Sequence, residues 1–444
     1  MMRAPPPIPR CPAASALGSS HWLQASTRAG PSPNSAGHVP RDGAAVRIPD
    51  KAGKGHPADL GDQTSSVMEQ PSDSAGPCKP ALSVEQAAQV VSAVYGFEVS
   101  EIRSLPSYDD QNFFVKTVGS EAGADVAEYV LKVTNSAASQ NADLIEVQTD
   151  VMMFLKEEGF PTASPVPTKH GNMMSLQSID CGSGVRQYMV RLLTFQPGVP
   201  IAHVTVDPDI LYEVGQLAAK MDITLQEKFH HPALKQLERG PFIWNLQNVP
   251  LLSQFIDAVN EERPQEAVKQ VIQQFKDSLL PKLSQFRKCV NHGDLNDLNI
   301  LVETRNDCLL NPCNKYRISG ILDFDDMSYG YYVFEVAIAI MYMMIESPDP
   351  LPVGGYVLAG FESILPLTPE EKDAVFTLVT CRFSQSLVMG KYSVTLQPEN
   401  ESYLMTTAKT GLKLLLKMID VGKEAVEKIW FDTAKAYKAN KQIP

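Results

Sequence analysis

VNHGDLNDLNILV, residues 290–302, and ISGILDFDDMSYG, residues 318–330, are the two stretches that decide the fold of this chain. The first stretch places Asp294 and Asn299 in a predicted turn that leads into a strand. The second ends a predicted apolar strand with Asp323. Both stretches belong to a short β-rich region within sequence that is otherwise predicted to be helical. We therefore expect this region to carry the chemistry of the protein.

The side chains in these stretches suit phosphoryl transfer. That reaction needs a carboxylate to orient the attacking hydroxyl and accept its proton, and oxygen ligands for the metal that neutralises the β- and γ-phosphates. Asp294 suits the first task, while Asn299 and Asp323 suit the second, because Mg²⁺ prefers oxygen donors. Five carboxylates would repel one another in a closed site unless a cation binds there: Asp294, Asp297, Asp323, Asp325 and Asp326.

Composition excludes several other classes of protein. The net charge of −12 argues against non-specific nucleic-acid binding, which needs a basic face. The apolar run at 333–345 is too short to span a bilayer and contains Glu335, so it predicts a buried helix and no membrane partner. The seven cysteines are scattered without a CxxC pair, which is typical of reduced thiols in the cytoplasm.

Residues 1–80 differ from the rest of the chain. They are rich in Pro, Ala, Ser and Gly and show almost no apolar periodicity, which predicts a disordered extension. Arg3, Arg10 and Arg28 precede the first acidic residue, Asp42, as in a mitochondrial transit peptide. The many prolines oppose an amphipathic helix. We therefore predict a cytoplasmic protein, with mitochondrial import as the alternative.

The remaining sequence divides into two predicted parts, residues 81–196 and residues 197–444. The first part reads as a small α+β lobe with strands at 99–105, 112–118, 128–134, 173–179 and 187–193 and helices at 83–95 and 142–158. In the second part, apolar residues recur with helical spacing. Its helices are predicted at 209–225, 249–260, 264–287, 333–346, 369–390, 400–418 and 421–437.

The order His-Gly-Asp, four residues, Asn, and then Asp-Phe after an apolar strand resembles the aminoglycoside phosphotransferase/choline kinase branch of the kinase-like superfamily. The resemblance implies a bilobal, protein-kinase-like α+β fold, with a small antiparallel-sheet N-lobe, a mainly helical C-lobe, and the nucleotide and Mg²⁺ between them. It implies that Asp294 is the catalytic residue and that Asn299 and Asp323 hold the metal. His292 then shapes the loop by hydrogen bonding.

The same resemblance implies a nucleotide site in the first part of the chain. Lys132, in the strand YVLKV, looks like the lysine that pairs with the phosphates, and Glu146 looks like its partner on the following helix. The loop SYDDQN holds no glycine, so its backbone amides or the side chain of Asn112 would have to approach the phosphates. The segment with Arg191 and Leu192 would bond the purine through its backbone.

The sequence also departs from the protein-kinase pattern. Asn296 stands where those enzymes have a lysine two residues after the catalytic aspartate. Asp325 replaces the glycine that follows Asp-Phe, which leaves open whether Asp325 or Asp326 adds a metal ligand. The missing APE-type substrate-peptide segment argues against a protein kinase.

A closer resemblance concerns the members of that branch that phosphorylate hydroxylysine, and it rests on LPSYDDQN, EYVLK, DLIEVQ, GFPTAS, NHGDLND and MSYGYYVFEVAI. It implies GTP as phosphate donor, with ATP as the alternative, and the 5-hydroxyl of 5-hydroxy-L-lysine as acceptor. A substrate with two amino groups would suit carboxylates such as Asp326. The alternatives are another amino alcohol or an aminoglycoside as acceptor, or a non-catalytic scaffold. The sequence does not indicate an oligomeric state.

Overall fold

The computed structural model describes residues 79–118, 127–182, 184–305 and 315–441. The predicted disordered extension lies outside these residues except at positions 79 and 80, and the predicted boundary near residue 196 stays a prediction. No helix in the described part of the chain is long and apolar enough to cross a membrane.

A five-stranded antiparallel sheet forms the first part of the fold. Its strands, in the spatial order β1-β2-β3-β5-β4, are β1 (Val99–Leu105), β2 (Gln111–Thr117), β3 (Glu128–Val133), β4 (Ser175–Asp180) and β5 (Val185–Thr194). In the centre of the sheet, Lys132 lies opposite Asn112 on β2 and Arg191 on β5. Because directly opposed residues share a face of the sheet, the register brings these three polar side chains together.

Two helices connect to this sheet in different ways. α1 (Val84–Val90) begins at a capping box between Ser83 and Gln86, and Ala87 belongs to the core of the sheet. α2 (Ala142–Glu157) begins at Asn141, and its buried residues belong instead to the core of the helical part. The helix α2 therefore connects the sheet to the core of the helical part.

The second part of the fold is mainly helical. Its helices are α3 (Pro208–Lys228), α4 (Glu262–Gln274), α5 (Tyr332–Ile345), α6 (Val353–Ile364), α7 (Pro369–Leu396), α8 (Glu401–Leu404), α9 (Ala408–Val421) and α10 (Lys423–Lys441). Two small sheets lie among them, β6-β8-β9 and β10-β7, formed by β6 (Val199–Pro200), β7 (Lys288–Asn291), β8 (Ile300–Thr304), β9 (Tyr316–Ile321) and β10 (Ser328–Tyr331). The antiparallel sheet and the helical part confirm the predicted α+β class.

The helix α6 was not predicted, because its glycines and the preceding prolines resemble a loop. The glycines instead allow a close helix crossing. A Cβ atom at Gly360 would lie 2.0 Å from the carbonyl oxygen of Tyr212 on α3, and one at Gly215 would lie 2.0 Å from that of Val357 on α6. Only glycine permits the two backbones to approach so closely.

Three predicted helices are shorter or different in the structure. The segment 249–260 forms 3₁₀ turns, Leu246–Gln254 and Ile256–Ala258, because Pro250 lacks the N–H that an α-helix needs. The helix predicted at 264–287 ends at Gln274 and continues as a wide turn and a 3₁₀ turn that contains Pro281. The helix predicted at 400–418 is divided into α8 and α9.

Candidate active site

The loop between β7 and β8 is fixed at its base by His292. The imidazole is fully buried, and its Nε2 lies 3.0 Å from the carbonyl oxygen of Leu322, just after β9. Its Nδ1 accepts a hydrogen bond from the backbone N–H of Asp294 at 3.3 Å. Gly293 has a φ of 82°, and a Cβ atom there would lie 2.6 Å from the carbonyl oxygen of Asp326. His292 thus lies where a loop-shaping hydrogen-bonding residue was predicted.

Asn296 closes the turn that presents Asp294. Its side-chain oxygen accepts hydrogen bonds from the backbone N–H groups of Leu298 and Asn299 at 2.9 and 2.8 Å. Its amide donates to Oδ2 of Asp294 at 2.8 Å, and the amide of Asn299 donates to the same oxygen at 2.9 Å. Two amide donors therefore hold one oxygen of the carboxylate.

The other carboxylate oxygen of Asp294 is paired with Arg382, which lies on α7, 88 residues further along the chain. The guanidinium donates to Oδ1 at 2.7 Å, and the two side chains are 1% and 20% exposed for Arg382 and Asp294. Burial raises the pKa of Asp294, and the nearby charge of Arg382 acts against this rise. Arg382 was not predicted from the sequence, because no local motif connects it to the loop between β7 and β8 that holds Asp294.

Asn299 and Asp323 offer oxygen atoms that fit Mg²⁺. The amide nitrogen of Asn299 donates to both the carbonyl and the carboxylate of Asp294, which leaves its amide oxygen for a cation. Asp323 has a φ of 57°, and its side chain is 44% exposed. Within the described ranges, no group of three or more His, Cys, Asp or Glu side chains is placed to hold a metal ion. Phosphate oxygens and water would therefore complete the coordination.

Lys132 lies in a ring of three carboxylates. Its Nζ is 2.8 Å from Oδ2 of Asp325, 3.1 Å from Oδ1 of Asp323 and 3.3 Å from Oδ2 of Asp110. Burial disfavours the charged lysine, but the three carboxylates outweigh this effect and raise the pKa of Lys132 well above its ordinary value. The structure thus brings Lys132 next to the predicted metal ligand Asp323.

The predicted pairing of Lys132 with Glu146 is wrong. Glu146 lies on the exposed face of α2, whereas the face turned toward the site carries Gln148, whose side-chain amide donates to the carbonyl oxygen of Asp325 at 2.8 Å. The buried residues that surround Gln148 fix this orientation of the helix. Asp325 takes the place next to Lys132 that the resemblance gave to a helix glutamate.

The side chain of Arg191 and the carbonyl oxygen of Leu192 make contacts within the protein, and the purine contact of this segment stays a prediction. The side chain of Arg191 is 1% exposed, and its guanidinium donates to Oδ1 of Asp325 at 2.9 Å and to Thr149 at 3.3 Å. Leu192 is fully buried, and its carbonyl oxygen already accepts the N–H of Val166 at 2.7 Å. Both residues lie inside β5, which pairs with β3 along this stretch. Arg191 neutralises Asp325, together with Lys132.

The loop before β2 contributes Asp110 to the same region, and β2 itself contributes Asn112. Oδ1 of Asp110 accepts the backbone N–H of Asn135 at 2.8 Å, and burial raises the pKa of Asp110 to about 6. Asn112 lies beside Lys132, and its Oδ1 is buried with no hydrogen-bond partner among the described residues. The structure therefore places Asn112 beside Lys132, and it adds an acidic residue, Asp110, that was not predicted from the sequence.

Asp326 lies near Asp294. Burial and the charge of Asp294 raise the pKa of Asp326 well above its ordinary value, while Arg239 acts against this rise. Glu335, the acidic residue within the apolar run at 333–345, is fully buried and accepts the backbone N–H of Gly293 at 3.1 Å. Asp326 is thus an acidic side chain close to Asp294, whereas Glu335 holds the backbone of the loop at Gly293.

Tyr108 joins the loop before β2 to α7 across the site. Its hydroxyl donates to the carbonyl oxygen of Met389 at 3.3 Å and forms a hydrogen bond with Ser393. Its ring meets the ring of Trp244 edge to face at a centroid distance of 6.1 Å. The loop thus closes over the side of the site that holds Arg382.

Comparison with known proteins agrees with this geometry. The model of the phosphotransferase enzyme family matches residues 101–369. A hydroxylysine kinase from Bos taurus is 57% identical over 362 residues, which are 81% of this chain and 96% of that protein. A hydroxylysine kinase from Danio rerio is 49% identical over 360 residues, which are 81% of this chain and 98% of that protein.

Solved structures of distant relatives share the fold. An amicoumacin kinase has a TM-score of 0.52 at 15% identity and covers 75% of this chain and 94% of its own. A microcompartment-associated aminopropanol kinase has a TM-score of 0.52 at 17% identity and covers 76% of this chain and 98% of its own. The fold is therefore that of the protein-kinase-like phosphotransferases, as expected. The chain belongs to the phosphotransferase enzyme family, and it is an enzyme that transfers phosphate to an alcohol group of a small molecule.

Proposed function

We propose that this enzyme transfers the γ-phosphate of GTP to the 5-hydroxyl of 5-hydroxy-L-lysine in the cytoplasm. The observation that carries the proposal is the geometry of Asp294, whose Oδ2 is held by two amides while Oδ1 bonds, among the residues that the structure describes, Arg382 alone. A carboxylate held in this way is suited to orient a hydroxyl. The choice of acceptor rests on the relatives from Bos taurus and Danio rerio, which bear the name hydroxylysine kinase.

In the proposed reaction, Asp294 accepts the hydrogen bond of the acceptor hydroxyl and takes its proton. The oxygen–phosphorus bond to the acceptor then forms as the bond to the leaving nucleoside diphosphate breaks. Asn299 and Asp323 would hold Mg²⁺, which supplies positive charge to the phosphates. Three carboxylates hold the ammonium group of Lys132 at this place. When the nucleotide binds, Lys132 exchanges carboxylate partners for phosphate oxygens.

Acidic groups favour a cationic acceptor. Asp326 lies near Asp294, and the chain carries a net charge of −12. An ammonium group close to Asp326 would stabilise its ionised form, which burial now disfavours. 5-Hydroxy-L-lysine has two amino groups and therefore fits this environment better than a neutral alcohol does.

The test is phosphate transfer from GTP and from ATP, with Mg²⁺, to 5-hydroxy-L-lysine, lysine, choline and kanamycin. We expect GTP-dependent transfer to hydroxylysine, no transfer to lysine, and loss of transfer when the metal is chelated. Lysine is the matched control, because it lacks only the hydroxyl that receives the phosphate. Transfer to choline or kanamycin alone would overturn the acceptor, and transfer from ATP alone would overturn the donor.

A further inference from the structure

Arg382 is a buried cation whose carboxylate partner is the catalytic aspartate. Its side chain is 1% exposed in the middle of α7, and NH2 lies 2.7 Å from Oδ1 of Asp294. Taking a guanidinium out of water is costly, and a buried ion pair contributes little to stability compared with apolar residues of the same size. Stability alone therefore does not explain why a charged residue is buried here, and we expect Arg382 to have a role in the site.

The guanidinium is itself held firmly. NH1 donates to the carbonyl oxygen of Trp244 at 3.2 Å. The carbon atom Cζ lies 5.0 Å from the ring centroid of Trp244 and 5.4 Å from that of Tyr342, so the cation is placed between two aromatic rings. These contacts leave Arg382 one orientation, with a fixed N–H directed at Asp294.

The loop around Asp294 does not supply a cation of its own. Position 296 carries Asn, whose amide binds Oδ2 of Asp294, and Asn299 binds the same oxygen. A carboxylate oxygen has about two lone-pair directions. Oδ2 therefore has both directions filled, whereas Oδ1 has one filled by Arg382 and one that remains for the hydroxyl of the acceptor.

We propose that Arg382 is the positioning residue for Asp294, which fixes the carboxylate so that the open lone pair of Oδ1 meets the acceptor hydroxyl. The proposal rests on the proposed function of Asp294 and deepens it. Without Arg382, the carboxylate keeps its two amide donors on Oδ2, but Oδ1 loses the contact that fixes its direction, and the acceptor loses its alignment. The effect belongs to the chemical step and leaves the nucleotide site unchanged.

The test compares Arg382→Ala and Arg382→Lys with the wild-type enzyme under steady-state conditions. We expect kcat to fall by about 10²-fold or more in the alanine variant, the usual scale for a lost orienting group, with nucleotide affinity changed by less than about threefold. Methylguanidinium in the buffer restores part of kcat in Arg382→Ala and none in Asp294→Ala. The lysine variant retains the charge but not the planar fork, so we expect an intermediate kcat.

Arg287→Ala is the matched control. Arg287 also pairs with a buried carboxylate, Glu371, at 2.6 Å, but this pair lies at the start of α7, far along the helix from Arg382. We expect this variant to lose stability without losing kcat. A kcat of Arg382→Ala within about threefold of the wild-type value, or a loss of kcat that methylguanidinium does not restore, would overturn the proposal.

The acceptor in this test is whichever alcohol the wild-type enzyme phosphorylates. An acceptor other than hydroxylysine would therefore overturn the proposed substrate and leave the test of Arg382 intact. If Arg382→Ala does not fold, Arg382→Lys decides: a kcat equal to the wild-type value contradicts the role of the planar guanidinium, and a reduced kcat with normal nucleotide binding supports it.

Discussion

Replacing Asp325 by Asn tests the cluster of charged side chains that surrounds Lys132. Asp325 accepts one bond from Lys132 at 2.8 Å and one from Arg191 at 2.9 Å, and its side chain is 28% exposed. Lys132 and Arg191 hold the pKa of Asp325 far below its ordinary value, although burial acts in the opposite direction. The carboxylate is therefore ionised at neutral pH and stabilises the folded state.

The size of the effect follows from the partners that remain. A hydrogen bond to a charged group contributes about 1.5–3 kcal/mol, and unpairing a buried charge costs about 3–5 kcal/mol. Lys132 keeps Asp110 and Asp323 in the variant, whereas Arg191 keeps only the hydroxyl of Thr149. We therefore expect Asp325→Asn to lower the free energy of unfolding by about 3 kcal/mol, the lower end of the range for a buried charge.

The assay is urea unfolding of the nucleotide-free enzyme, followed by circular dichroism. Asp323→Asn is the matched control, because Asp323 also bonds Lys132 but is 44% exposed. We expect this variant to lose less than about 1 kcal/mol of stability and to lose activity, since it removes a proposed metal ligand. Equal losses of stability in the two variants would refute the reasoning that Asp325, and not Asp323, is the structural partner of Lys132.

Two further predictions concern parts of the fold outside the site. Gly360→Ala places a Cβ atom 2.0 Å from the carbonyl oxygen of Tyr212, so we expect a loss of about 3 kcal/mol in urea unfolding. Gly411→Ala places its Cβ atom 3.4 Å from the ring of Phe383, so we expect it to be neutral or to stabilise by up to about 1 kcal/mol. Similar effects of the two substitutions would contradict the close crossing of α3 and α6. Burial raises the pKa of Glu427 from 4.5 to about 7, so the folded chain binds the carboxyl proton of Glu427 more tightly than the unfolded chain does. The contribution of this proton to the stability of the folded state is therefore lost as the pH rises through 7. We therefore expect Glu427→Gln to be more stable than the wild-type protein at alkaline pH and equally stable below the ordinary glutamate range, and an advantage that does not depend on pH would contradict the shift.

The sequence predicted the parts of the site that depend on local spacing. Asp294 and Asn299 belong to one turn, and Asp323 follows the strand β9 that pairs with β8, so their proximity follows from short connections. Lys132 was assigned to the site because it lies in a strand upstream of these motifs, as the lysine that pairs with the phosphates does in the kinase-like fold. The strands of the large sheet were also predicted within a few residues of their observed bounds.

The remaining contacts depend on how distant elements pack. Arg382 reaches Asp294 from 88 residues away, and only the folded position of α7 brings the two together. Glu146 was assigned from its place near the start of α2, but the buried residues of the helix turn it outward and Gln148 inward. The helix α6 was missed because glycine weakens a helix in isolation, while here it permits the approach of α3.

The central claim is that Asp294 orients the acceptor hydroxyl and takes no part in nucleotide binding, and Asp294→Ala tests it most directly. The measurement combines phosphate transfer with the binding of a non-hydrolysable nucleotide in the presence of Mg²⁺. We expect turnover to fall by about 10²–10⁴-fold, the usual contribution of a catalytic carboxylate, with nucleotide affinity changed by less than about threefold. Lost nucleotide binding in a folded variant would assign Asp294 to the nucleotide site, and retained turnover would remove it from the reaction.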